Sequence, residues 1–429
     1  MKKTALYTVL LSMGLFVLQS CGGDTYKGEL LGSLNRPNWY HVMPYGMVYV
    51  PSGTLHVGPS DQDVNSSLVQ RAKSISVAGF YMDDTEITNN EYRQFIEWVR
   101  DSIAHHLIGD EHLLETADGN EIINWKKQIR WSDEEIMDAL EDMYYPESDR
   151  FWGKRLINPE VLKYEYSWID YKEAAKNQYR LRNGMEVKSR SELIKNETVS
   201  IYPDTLVWVR DFTYSYNEPM TRHYFWHPAY DGYPVVGVTW KQATAFSVWR
   251  TKFMNDWRSM LGEISIDNFR LPNEFEWEYA SRGGKILNPY PWGGPYVRNS
   301  KGCILANFKP GRGNYPDDGG FYTVKSNSYW PNDFGLYNMA GNVSEWTSNA
   351  FEENASTFQH DINPDYQYNS KPEDDITLKR KVIRGGSWKD ISYFVQNSTR
   401  TFEYEDTCKS YIGFRCVMSF LGRSINDEY

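Results

Sequence analysis

The chain is 429 residues long and acidic, with 46 Lys and Arg against 57 Asp and Glu and a formal net charge of −11. That balance argues against nucleic acid as the main partner, because phosphate backbones are held by clustered Lys and Arg. Aromatic residues make up 16% of the chain, including 16 Trp and 32 Tyr, which suits a loop-rich fold whose core and contact surfaces are built from these rings.

Lys2 and Lys3 give a positive start, and a mostly apolar run follows from Thr4 to Leu18. The run is too short to cross a bilayer comfortably and has the length of a signal-peptide core. It ends in Leu18-Gln19-Ser20-Cys21, a small residue before a cysteine with an aliphatic residue three before it. This resembles a bacterial lipoprotein signal. It predicts residues 1–20 as signal peptide, Cys21 as the acylated first mature residue, and 21–43 as a lipidated stalk. An ordinary signal peptide with a chance cysteine is the alternative. Several acyl chains anchor firmly, since each buried CH₂ contributes about 0.8 kcal/mol. Cys303, Cys408 and Cys416 remain after the anchor. Cys408 and Cys416 are close enough in sequence to form a disulfide in an oxidising compartment, and three free thiols is the competing reading.

Residues 47–58 (MVYVPSGTLHVG) read as a β-hairpin turning at Pro51-Ser52-Gly53, and residues 75–82 as one strand. Thr88 or Asn89 caps a helix in which Tyr92, Phe95, Ile96 and Val99 share a face. From about 104 to 231 the sequence is charged and aromatic with few strand signals, and its one good helix spans 133–144. Its Trp125, Trp131, Trp152, Trp168 and Trp208 would be contact anchors if exposed. Residues 233–238 (YPVVGV) read as a strand. The helix over 241–254 turns Ala243, Phe246, Trp249 and Phe253 inward, and a helical turn beginning NEFEWEY stops at Gly283-Gly284.

Five segments in order carry a resemblance: TEITNNEYRQF at 85–95, YPVVGVTWKQATAFSVW at 233–249, FRLPNEFEWEYASRGG at 269–284, NDFGLYNMAGNVSEWTS at 332–348, and VIRGGSW at 382–388 with GFR at 413–415. Together they resemble the formylglycine-generating-enzyme (sulfatase-modifying factor) superfamily. The resemblance implies an α+β fold related to C-type lectins with little regular secondary structure. It implies a single domain over 44–421, a family-specific insertion at about 104–231, and a tail at 422–429. Arg270, Arg384, Arg400 and Arg415 lie among apolar residues and need carboxylates, for which Glu274, Glu276, Glu278 and Glu345 are available.

The same resemblance implies calcium. One site takes the Asn338 and Glu345 side chains with the Gly341 and Val343 carbonyls; the alternative is that Glu345 pairs with an arginine. A second takes Asn307, the Phe308 carbonyl, Asp318 and the Gly320 carbonyl, with Asp317 competing for the place of Asp318. Oxygen donors of this kind suit that ion. His223 and His227, four apart, lack a third ligand nearby in sequence. The family's enzymes oxidise a substrate cysteine through two copper-binding cysteines placed after the Gly-Gly-Ser-Trp segment. Residues 389–399 contain no cysteine, and Asp390 stands about where the first would be. A carboxylate does not replace a thiolate as a soft copper ligand, so no catalytic residue and no copper are expected. Ser247 stands where the family places a structural cysteine that would pair with Cys416.

Further stretches, among them KGELLGS at 27–33, PYGMVYVPSG at 44–53, ILANFKPGRGNY at 304–315 and RGGSWKDISYFVQNSTR at 384–400, resemble the GldK/PorK-type lipoproteins of gliding motility and type IX secretion. That resemblance implies an outer-membrane lipoprotein on the periplasmic face, self-associating in a ring with a GldN/PorN-type partner. Two alternatives stay open: a metal-dependent cysteine- or sulfur-modifying enzyme, and a periplasmic glycan or peptide binder.

Overall fold

Pro51 decides how the first strands pair. A two-residue hairpin turn needs positive φ at its first central position, whereas the proline ring fixes φ near −65°. In the computed structural model β1 (Met47–Val50) and β2 (Gly53–Val57) accordingly do not pair with each other, which corrects the expected hairpin. β1 runs antiparallel to β4 (Phe80–Asp83) and β2 antiparallel to β3 (Lys73–Val77). The single strand expected over 75–82 is likewise broken at Ala78-Gly79. Ala78 N–H leaves the ladder for Asn363 Oδ1, and a Cβ on Gly79 would crowd the Tyr49 ring. The structure describes residues 42–58, 73–116, 119–175, 189–214, 217–311 and 313–422. The expected signal peptide, Cys21, nearly all of the stalk and all but the first residue of the tail lie outside the described residues.

Thr88 opens α1 (Asn89–Ile108). Its hydroxyl accepts from Glu91 N–H while the Glu91 carboxylate accepts from Thr88 N–H, so two of the free donors at the helix start are satisfied reciprocally. Tyr92, Phe95, Ile96 and Val99 are all buried, as their spacing predicts. The stretch expected as an insertion then contributes β5 (Leu113–Glu115) paired with β6 (Glu121–Ile123), a helix over Glu134–Ala139 rather than over 133–144, and a hairpin of β7 (Lys163–Ile169) and β8 (Ile194–Ser200). It closes with two short helices, α2 (Val207–Asp211) and α3 (Glu218–His223). The β7–β8 hairpin was not foreseen, although KYEYSWI alternates aromatic with charged or polar residues in the strand period.

Residues 233–238 are buried but irregular. Val235 N–H donates to Ile87 O, Gly237 takes φ of 75° and donates to Lys409 O, and no strand forms. An apolar run of this length reads the same whether it is a strand or a packed loop. α4 (Trp240–Met260) is capped by Thr239 with Gln242 and buries Ala243, Phe246 and Trp249. It outruns the body, so Phe253, expected inward, is exposed and stacks on Trp249. After β9 (Phe269–Arg270) comes α5 (Glu274–Arg282), which ends at Gly283 in the left-handed conformation. β10 (Ser344–Ala350), β11 (Arg380–Arg384), β12 (Thr401–Tyr404), β13 (Ile412–Gly413) and β14 (Val417–Ser419) complete two four-stranded sheets. Their orders are β1-β4-β14-β9 and β12-β11-β10-β13. From Val42 onward the chain forms one compact unit.

No disulfide joins Cys408 to Cys416; both are free and buried. The run through β13 carries Cys416 into the main core beside Ser247 Oγ, at 3.4 Å, while Cys408 stays in a separate cluster 3.7 Å from Asp204 Oδ2. Among the described residues no helix is long and apolar enough to cross a membrane.

Candidate functional site: two linked loops and a closed segment

Every residue of α5 is buried, so its three carboxylates cannot be solvated and each meets a guanidinium. Glu274 takes Arg400 at 2.5 Å, Glu276 takes Arg270 at 2.6 Å, and Glu278 takes both Arg384 and Arg282 at 2.6 Å. On β10, Glu345 holds Arg415 through both oxygens at 2.7 Å and accepts Trp277 Nε1 at 2.7 Å. The four arginines singled out in the sequence thus each find a different one of the four carboxylates. Arg384, Arg400 and Arg415 stitch α5 and β10 to segments 70 or more residues away, and Arg270 braces α5 against the strand just before it. In a fold with short ladders these pairs fix the loop paths, and removing one member strands its partner.

The loop from Asn338 to Glu345 turns through positive φ at Asn338 (50°), Gly341 (79°) and Asn342 (63°). Asn342 ties it to a second loop. Its N–H donates to Asn307 O at 2.7 Å, and its Oδ1 accepts from Asn307 Nδ2 at 3.2 Å and Val324 N–H at 2.9 Å. Gly341 lies so close that a Cβ would overlap Asn307 O. In the second loop Asp318 accepts Phe308 N–H at 2.8 Å and Gly320 N–H at 2.9 Å. Asp317 turns away to Arg298 at 2.5 Å. The structure therefore gathers Asn338, Gly341, Val343 and Glu345 in one loop and Asn307, Phe308, Asp318 and Gly320 in another, and it links the two.

Their fit to a cation differs. Asn338 Oδ1 is buried with no hydrogen-bond partner, as a donor awaiting an ion would be. Glu345 is already neutralised by Arg415. The uncompensated acid nearby is Glu86, fully buried, which accepts Asn342 Nδ2 at 2.9 Å and Asn338 Nδ2 at 3.2 Å. Burial pushes its carboxyl up to about 8, with Arg415 opposing and Glu345 adding. Turning the Asn338 amide over would set its oxygen beside Glu86 Oε2 and the carbonyls of Lys325 and Ser326. In the second loop the recorded hydrogen bonds to the Asp318 carboxylate come from backbone N–H groups, and burial raises it. His223 and His227 are exposed with ring centroids 5.6 Å apart. Among the described residues no three or more His, Cys, Asp or Glu side chains converge.

Gly385 and Gly386, at φ of 90° and 63°, turn the chain after β11 into the segment where the resemblance places the family's two cysteines. Ser387 Oγ donates to Asp390 Oδ2 at 2.6 Å and Asp390 N–H donates to Ser387 O at 3.0 Å, closing a turn on the aspartate. Val395 is fully buried. The insertion caps this segment: Trp208 of α2 stacks on Trp388 with centroids 6.2 Å apart, and Phe212 lies 5.5 Å from the same ring. Asp211 pins α2 by accepting both Ser410 N–H and Oγ. Sequence reasoning had Trp208 as an exposed anchor or a packing residue, and it is a packing residue, 1% exposed. Burial pushes the Cys408 thiol up to about 11 and the Cys416 thiol up to about 12, so neither is a thiolate at neutral pH.

Short sheets braced by buried ion pairs, carrying the ordered motifs at their junctions, define an α+β fold of the formylglycine-generating-enzyme type. Residues 37–420 match the family described as the sulfatase-modifying factor enzyme 1-like (FGE-sulfatase) domain, and the chain belongs to that family. It is 24% identical to the formylglycine-generating enzyme of Mus musculus over 381 residues, covering 87% of this chain and 75% of that one. It is 29% identical to the inactive C-alpha-formylglycine-generating enzyme 2 of Bos taurus over 241 residues, covering 53% and 64%. PvdO from Pseudomonas aeruginosa aligns over 87% of this chain and 94% of its own, with 15% identity and a TM-score of 0.47. Active and inactive relatives stand at comparable distance, so identity alone does not separate them.

Proposed function

We propose that the chain is a catalytically silent member of its family, a structural lipoprotein of the type IX secretion and gliding-motility machinery of the GldK/PorK type. It is tethered to the outer membrane through acylated Cys21, faces the periplasm, and assembles in a ring with a GldN/PorN-type partner and with copies of itself. Its two linked loops hold structural calcium, with Asn338 and Asp318 as the side chains whose surroundings best suit the ion. What carries the reading is the segment from Gly385 to Thr399. Where a sulfur centre would have to lie, Asp390 is tied to Ser387, Val395 is buried, and Trp388 is covered by Trp208 and Phe212. A closed turn with no sulfur offers neither a soft copper site nor a redox couple. The exposed rings of Phe151 and Trp152 on the insertion supply anchors of the kind that dominate protein interfaces.

The test has two arms. Pure protein incubated with copper(I), oxygen and a cysteine-bearing peptide should form no aldehyde by mass spectrometry; turnover would end the silent reading. Mature protein isolated from membranes should carry an acylated Cys21 and co-purify with the partner; an unmodified Cys21 or a soluble, partner-free chain would end the lipoprotein reading.

A further inference from the structure

We propose that the cleft between the β7–β8 hairpin and α4 is a receptor for a guanidinium or ammonium group, presented by an arginine or lysine side chain or by a free small amine. The cleft encloses about 240 Å³. Tyr166 and Trp168 come from β7, Glu197 from β8, Trp240 from α4, Arg270 from β9 and Ser348 from β10. None of them belongs to the segment over Asp390 or to the two linked loops, and the site stands whichever assembly the chain joins.

Glu197 is the reason for a cation. Its oxygens accept Tyr166 O–H at 2.7 Å and Trp168 Nε1–H at 3.2 Å. Both donors are neutral, and among the described residues they leave each oxygen a lone pair. Among the described residues, the basic groups closest to the cleft are engaged elsewhere. Arg270 gives both terminal nitrogens to Glu276, at 2.7 and 2.6 Å. Lys172 donates to Gln367 O at 2.8 Å. Lys381 lies 3.9 Å from the Trp240 ring centroid and is held by Tyr368 O at 2.7 Å and Glu405 at 3.6 Å. The Lys381 ammonium over the Trp240 ring shows that this indole already draws a cation. Ser348 Oγ is buried and has no partner, and Ser348 itself is only 9% exposed, so a donor-rich group entering the cleft meets a waiting acceptor. A carboxylate in a cleft lined by Trp168 and Trp240 attracts an organic cation through its charge, and an indole face of the lining adds the ring quadrupole. An anion would meet Glu197 head on, and a neutral ring would leave it uncompensated. The chain's net charge of −11 draws basic ligands in the same direction.

The full chain, made as Cys21→Ser to keep it in solution, is titrated with N-acetyl-arginine amide while tryptophan fluorescence is followed. N-acetyl-citrulline amide is the neutral isostere. Saturable binding of the arginine probe is expected, weakened about tenfold for the citrulline probe and about tenfold by Glu197→Gln. Equal binding of the two probes, or no saturation by about 50 mM, overturns the proposal. So does tighter binding of N-acetylglucosamine, which would make the cleft a glycan site. The probe comparison needs no variant, so it decides even if Glu197→Gln misfolds. Agmatine binding as tightly as the arginine probe identifies a free amine as the source; tighter binding of Ala-Arg-Ala identifies a protein side chain.

Discussion

Around α5, Arg384 and Arg415 are fully buried, and each sits on a carboxylate as buried as itself. In the insertion, Lys127 with Glu111, Arg155 with Asp138 and Arg222 with Glu218 make ion pairs of the same chemistry on the surface. The first set crosses long stretches of sequence and fixes topology; the second decorates local turns. A buried pair cannot lose one member without leaving an uncompensated charge, whereas a surface pair gives its partner back to water. These core pairs are therefore intolerant of substitution where the surface pairs of 104–231 are permissive.

The comparison is sharpest at Arg415. Arg415→Ala should cost about 3–5 kcal/mol in urea unfolding, with loss of soluble protein as the extreme outcome; a cost below about 1 kcal/mol would mean that the buried pairs do not set the fold. Trp208→Ala tests the one place where the insertion behaves like core, and about 3 kcal/mol is expected from a fully buried indole. A near-neutral result there would separate α2 from Trp388 and reopen the segment beneath it. Gly341→Ala should cost about 1–3 kcal/mol, since the residue needs positive φ and its Cβ meets Asn307 O, and calcium titration would then show whether both linked loops loosen together. Arg155→Ala in the insertion should stay within about 1 kcal/mol. The smallest effect is chemical. At pH 8, native Cys21→Ser protein should react with a thiol reagent only at exposed Cys303, and denatured, unreduced protein at Cys408 and Cys416 as well. Two thiols missing after denaturation would restore the disulfide.

The sequence disclosed the family fold through motifs that are punctuation and charge: the cap at Thr88, the stop at Gly283-Gly284, and four arginines facing four glutamates. These are local, or complementary by type, and so they can be read without coordinates. Pairing was less legible. Pro51 excludes the tight hairpin on its φ alone, yet the partners of β1 and β2 come from β4 and β3, which no local signal names. Buried irregular runs such as 233–238 carry a strand's composition and bond to distant loops. At the two loops the sequence names residues that the fold links, but the state of Glu345 depends on Arg415, 70 residues away, and Glu86 became visible as an unmet acid only once burial was known. The cleft around Glu197 was hidden because the β7–β8 hairpin that forms its wall was not foreseen.

Asn338, Gly341, Asn342, Gly385 and Gly386 all take backbone angles that most residues resist. Their demand is geometric and owes nothing to sulfur or copper. A genome search keyed to these signatures therefore recovers a shape, and it gathers working oxidases and silent descendants in the same net. Sorting one from the other requires asking what stands a few residues past the second glycine.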